Sequence, residues 1–151
     1  MVPLNSKKHK IIVLDSNFLF LPSQFQTDYL EIIEMKLGTS ISYIIYQQIL
    51  DELNAKKRRR KNSSKFRRDL NLGLQYLEKS RLHHNIDFIG ETKNKMETTD
   101  EFLIRKCVNL KRTNKSIYLA TNDQELRKKA KKRGVNIIYL RQKSYLVIER
   151  A

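Results

Sequence analysis

The sequence predicts an α/β protein: one domain with a central parallel sheet of about five strands and helices on both faces. Three observations predict it. Short apolar runs rich in β-branched residues alternate with longer amphipathic segments along the chain, the pattern of strand–helix–strand units. The run Ile11-Ile12-Val13-Leu14 is apolar at every position, as a strand buried on both faces requires. Two such runs end in short polar residues, Asp15-Ser16-Asn17 and Thr121-Asn122-Asp123, where open α/β sheets place their chemistry. A chain of 151 residues fits one domain, read here as 10–148, and buries roughly 70% of its unfolded surface.

Residues 1–9 are a polar lead-in expected to fray. Strand one spans about 10–14. Pro22 is expected to break the chain after Phe18-Leu19-Phe20-Leu21, and a helix follows over about 26–36, with Gly38 past its end. Residues 41–46 read as strand two and 47–57 as a helix with Ile49, Leu50 and Leu53 inward. Asn62-Ser63-Ser64 can cap a third helix over about 64–81. A short strand over 85–90 precedes a polar loop, 91–98, expected to be mobile. Thr98-Thr99-Asp100-Glu101 opens a helix to about 113, with acids in its first turn where the helix dipole favours them. Residues 116–120 form a buried strand, 124–133 a basic helix closed by Gly134, 135–140 a further strand, and 144–148 a short edge strand.

The net charge of +15 is the informative bulk number. Such self-repulsion calls for a polyanionic partner, and nucleic acid is the commonest. No apolar run approaches the ~20 residues that span a bilayer, and no basic amphipathic helix suits a membrane surface, so no membrane partner is expected. The N-terminus has no apolar core of a signal peptide. The lone Cys107 fits a reducing compartment, the cytoplasm, or the nucleolus in a eukaryote. Four glycines, none in a GxGxxG pattern, give no dinucleotide site. Cys107 reads as core, His83-His84 as a helix end, and Tyr43, Tyr118 and Tyr139 as packing residues.

In a parallel sheet every strand's carboxyl end opens on one edge. Asp15 and Asp123 follow such ends, and Asp100 and Glu52 lie early in helices that start there. Four carboxylates from separate segments therefore have a common cleft within reach. Clustered carboxylates repel unless a hard divalent cation neutralises them, and oxygen ligands select Mg²⁺ or Mn²⁺. Such a cation lowers the pKa of a bound water and polarises a phosphoryl oxygen. Each acid also has a plainer reading: a strand-end turn for Asp15 and Asp123, a helix-start acid for Asp100, a solvated helix residue for Glu52, beside which Asp51 competes for the role.

The motifs Leu14-Asp15-Ser16-Asn17, Glu52-Leu53, Asp100-Glu101 and Ala120-Thr121-Asn122-Asp123, in that order, resemble the PIN-domain ribonucleases. The tail from Asn136 to Ile148 resembles more specifically archaeal PIN proteins related to the eukaryotic small-subunit processome nuclease; VapC-like toxins form another branch. The resemblance implies a metal-dependent endoribonuclease with Mg²⁺ or Mn²⁺ ligated by Asp15, Glu52, Asp100 and Asp123. Asn17, Thr121 and Asn122 would orient ligands or water, and Glu101 stands where the family often has a second Asp. It also implies RNA as the partner, ribosomal RNA or its precursor, with pre-ribosomal assembly factors and a homodimer as further expectations. The basic residues expected to touch RNA are Arg58, Arg59, Arg60, Lys61, Arg67 and Arg68 in one run, and Arg127, Lys128 and Lys131 in another. A solvated helix face is the plainer reading of both runs.

Two other functions within the fold remain open at this level: an RNA-binding module without catalysis, and a toxin-type ribonuclease acting on transfer or messenger RNA. A phosphatase with a strand-end nucleophile would want a second Asp at position 17, which is Asn17.

Overall fold

The structure is a computed structural model that describes residues 9–60, 63–114 and 116–151. Most of the expected lead-in, residues 1–8, lies outside the described residues, as does Lys61. His9 is not frayed: its imidazole Nε2 is 2.8 Å from Ser42 Oγ.

The sheet has six strands in the order β3-β2-β1-β4-β5-β6. They are β1 Lys10–Leu14, β2 Ile41–Tyr46, β3 Asn85–Ile89, β4 Ile117–Ala120, β5 Asn136–Arg141 and β6 Tyr145–Glu149. The first five are parallel and β6 is antiparallel to β5, so the expected parallel sheet carries one antiparallel edge. Residues 12–14 of β1, and all of β2 and β4, are buried, which matches their apolar runs, broken only by Ser42 in β2. The chain moves to one side of β1 for β2 and β3, then returns to its other side for β4 and β5. The crevice between the carboxyl ends of β1 and β4 is thus the topological switch point, where open α/β sheets bind ligands.

The helices are α1 Leu21–Phe25, α2 Tyr29–Leu37, α3 Gln47–Arg59, α4 Ser64–Ser80, α5 Thr99–Leu110 and α6 Gln124–Lys132. Boundaries follow the caps. Ser63 accepts from the Phe66 amide, and Thr98 and Glu101 form a reciprocal capping box.

Three expectations need correction. The chain does not break at Pro22. A 3-10 turn over Ser16–Phe20 runs into α1, where Pro22 lies in the first turn and costs no hydrogen bond. The next helix starts at Tyr29 rather than 26, because Gln26 adopts the left-handed conformation (φ 51°) and Asp28 supplies the cap. The loop 91–98 is tied down rather than mobile. Gln48 Oε1 accepts from the Lys93 amide at 2.9 Å, and Arg105 grips Glu97 through two hydrogen bonds of 2.7 and 2.9 Å. That guanidinium draws the Glu97 carboxyl down to about 2.

Helix α4 packs against the 3-10 turn at Gly73. A methyl group there would run into the Leu19 carbonyl oxygen, a backbone atom that cannot rotate away. This close approach fixes where the basic start of α4 stands relative to the switch point. Gly73→Ala is expected to lower stability by about 1–3 kcal/mol through overpacking, read as a lower denaturation midpoint. An unchanged midpoint would show that α4 shifts freely.

Candidate active site

Asp15 ends β1 and is only 7% exposed. Each of its oxygens is engaged. Oδ1 accepts from the Ser16 amide at 2.7 Å. Oδ2 accepts from the Thr121 hydroxyl at 2.7 Å and from Asn17 Nδ2 at 3.3 Å. The Thr121 oxygen in turn accepts from the Asp123 amide at 3.0 Å. Asn17 Oδ1 accepts from the Asn122 amide at 3.0 Å, and Asn122 Oδ1 accepts from the Leu140 amide at 2.8 Å. One continuous network therefore joins the ends of β1, β4 and β5.

Burial is the main force pushing the Asp15 carboxyl above its usual range. The Thr121 and Ser16 hydrogen bonds pull the other way, and Asp100 and Asp123 add repulsion. Asp100, at the start of α5, is also pushed up, first by burial and then by Asp123, with Lys129 opposing. Three of the four expected carboxylates thus share one electrostatic field. Glu52 does not belong to that group. It is exposed on α3, lining a cavity beside Ser16, Asn17 and Asn122. Among the described residues, no three His, Cys, Asp or Glu side chains stand close enough together to hold a metal ion as they are placed.

The supporting residues divide. Asn17, Thr121 and Asn122 build the network. Glu101 turns back on its own helix start, its Oε1 accepting from the Thr98 amide at 2.9 Å, so the capping box uses the side chain expected near the acids. Asp123 caps α6, its Oδ1 accepting from the Glu125 and Leu126 amides at 3.0 and 3.2 Å, which leaves Oδ2 unused by the cap. Asp51, the competitor of Glu52, is held by the Gln47 amide at 2.9 Å.

The basic residues divide too. Arg58, Arg59, Arg60, Arg68 and Lys128 are exposed, and Arg67 is half-buried. Arg127 donates to the Asn122 carbonyl at 3.1 Å and lies 3.9 Å above the Tyr139 ring centroid, so it braces the site rather than standing free for RNA. Lys131 pairs with Glu149 at 3.1 Å.

A cavity of about 650 Å³ adjoins the network; the sequence reading named Asn17, Glu52, Arg59, Arg60 and Asn122 of its lining but missed its aromatic wall. Phe20, Gln24 and Phe25 come from the segment read as a chain break, and Lys56 and Phe66 from helices read only for charge and core. The closely spaced Phe18, Phe20 and Phe25 were the available signal.

Thr121→Val keeps shape but removes the donor to a buried carboxylate. It is expected to cost about 1.5–3 kcal/mol at neutral pH. The loss raises the Asp15 pKa further, so the gap between variant and wild type is full where Asp15 is ionised. It shrinks as pH falls and Asp15 takes up a proton. Denaturation curves across pH check this, and a pH-independent gap would exclude the charge-assisted bond as the cause.

The profile of the PIN-like domain family matches residues 12–143. Ribonuclease VapC4 of Methanocaldococcus jannaschii is 26% identical over 137 residues, covering 91% of this chain and 95% of the relative. Among solved structures, the PIN domain endonuclease Utp24 superposes with a TM-score of 0.61 at 19% identity, covering 95% of this chain and 94% of that one. A domain of a functionally unknown protein from M. jannaschii superposes with a TM-score of 0.60 at 17% identity, covering 87% of this chain and 91% of that one. A strand-end Asp15 at the switch point, acids at the starts of two further helices, and a family match over most of the domain agree: this chain belongs to the PIN-like domain family.

Proposed function

We propose that the protein is an endoribonuclease that hydrolyses RNA phosphodiester bonds with a divalent cation, Mg²⁺ or Mn²⁺. The observation that carries the reading is the repelling group Asp15, Asp100 and Asp123 at the switch point of a strongly basic domain. The names of the relatives, a ribonuclease and an endonuclease, point the same way. The donor set fits a hard cation: it offers oxygen alone, and the charges that burial and repulsion oppose are those a cation offsets. Asp15, Asp100 and Asp123, drawn closer together than they stand here, would hold it, with Glu52 as the fourth acid. The cation would supply an activated water and charge neutralisation at the phosphate.

The chain's own residues have definable tasks. Thr121 and Asn17 fix the Asp15 carboxylate by donating to it, and the Thr121 bond favours the ionised form against the burial that opposes it. The α6 cap fixes Asp123. The exposed arginines of α3 and α4 draw in the phosphate backbone. Ribosomal RNA or its precursor is the substrate class we favour, on the resemblance of the tail from Asn136 to Ile148, and the lone Cys107 suits a reducing, cytoplasmic setting. A second reading, an RNA-binding module without catalysis, draws on the spread of the acids, which form no closed set of three among the described residues.

Cleavage of a structured RNA with Mn²⁺ and with EDTA tests the proposal. Wild type should cut only with the cation. Asp123→Asn should lose more than about a hundredfold, since even residues behind metal ligands are commonly worth ~10–100-fold. Asn is as good a cap as Asp, so α6 survives the change. Cation-independent cutting, or full activity in the variant, would sink the carboxylate site; tight binding without cutting would favour the second reading. Replacing Arg58, Arg59 and Arg60 by Gln should reduce the magnitude of the log–log salt slope of binding by about 2. An unchanged slope removes that block from the interface.

A further inference from the structure

The cavity beside the acids has an aromatic wall that neither cation binding nor backbone attraction uses. We infer that it is a nucleobase pocket, which seats one base of the RNA next to the scissile phosphate, with Gln24 as its reader. This rests on the endoribonuclease reading for its substrate but not for its test.

The walls divide by chemistry. Phe20, Phe25, Leu53 and Phe66 form an apolar side, with the Phe20 and Phe66 rings 5.5 Å apart. Single-stranded RNA is held by stacking its bases on such rings while cations track its phosphates. The cations are in place: Lys56, Arg59 and Arg60 line the same cavity. Lys56 Nζ and Arg60 Cζ lie 5.9 and 5.6 Å from the Phe66 ring centroid, so aromatic and cationic groups are already interleaved. The volume of about 650 Å³ falls within the roughly 300–1,000 Å³ of small-ligand sites and so admits a nucleotide.

Among the side-chain amides of the lining, one has both its donor and its acceptor open to a base. Asn17 and Asn122 also line the cavity, but their side-chain oxygens accept from the Asn122 and Leu140 amides, and Asn17 Nδ2 donates to Asp15 and Thr121. Gln24 is exposed, and no hydrogen bond among the described residues holds its amide. A primary amide offers a donor and an acceptor side by side, the complement of a base edge such as that of adenine. Because Asn17 is bonded directly to Asp15, a base against this wall brings its phosphate to the carboxylates.

The test is equilibrium binding in EDTA, where cleavage plays no part. Equal-length oligoribonucleotides of A, C or U are compared with an abasic ribose–phosphate oligomer of the same length. Wild type should bind its preferred homopolymer about tenfold or more tighter than the abasic oligomer. Gln24→Ala, at an exposed position that leaves the fold intact, should compress the differences among the homopolymers to within about twofold. Arg60→Ala should weaken every oligomer, the abasic one included. Equal binding of homopolymers and abasic oligomer by wild type would overturn the pocket, as would a base ranking untouched by Gln24→Ala. Cation-dependent cutting alongside base-independent binding would fail the pocket alone. Base-dependent binding without cutting would fail the nuclease reading and leave the pocket standing.

Discussion

A nearly buried carboxylate at the end of a central strand sets the terms for the rest of the structure. Asp15 cannot be paid for by solvent, so the chain surrounds it with donors. Two of those donors are its neighbours Ser16 and Asn17, and the third, the Thr121 hydroxyl, comes from 106 positions away in sequence. The same bonds that satisfy Asp15 therefore pin β1 to β4, and through Asn122 to β5. Site geometry and sheet integrity are one network, and a polar residue lost from it is felt in both.

The surrounding charge works in two opposed layers. Close in, Asp15, Asp100 and Asp123 repel one another. Further out, arginines and lysines on α3, α4 and α6 create a positive field that extends to the cavity beside them. The inner layer is suited to a small cation and the outer one to a polyanion. Some cations are spent internally: Arg127 on Tyr139 and Asn122, Arg105 on Glu97, Lys131 on Glu149. Net charge alone overstates how many are available to a partner.

The sheet was legible because strand burial writes itself into sequence as short apolar runs, unbroken over residues 11–14 of β1 and in β4 and interrupted only by Ser42 in β2. The gathering of Asp15, Asp100 and Asp123 at one edge was legible because strand ends and helix starts share that edge of a parallel sheet. The role of Glu101 was left open by the sequence for a local reason. Thr98 lies three residues before it, and a capping box is more immediate than a distant site. The segment 16–25 was unreadable because a 3-10 turn leaves no clean period, and Pro22 signals a break or a helix start equally well. The cavity walls escaped because their aromatics come from three elements that meet only in the fold.

The position of β1 at the centre of the sheet has a consequence for how the chain is made. Its neighbours are β2 on one side and β4 on the other, with Ile11 opposite Ile117. During synthesis β2 emerges soon after β1, while β4 arrives only when most of the chain has been translated. Until then one long side of an isoleucine- and valine-rich strand has no sheet partner, the kind of open edge that recruits other chains. Because this central pairing joins distant segments, folding waits on loop closure rather than on local helix formation. A truncated product ending before β4 would carry that open edge permanently, and so would be a substrate for chaperones or proteases rather than a smaller working domain.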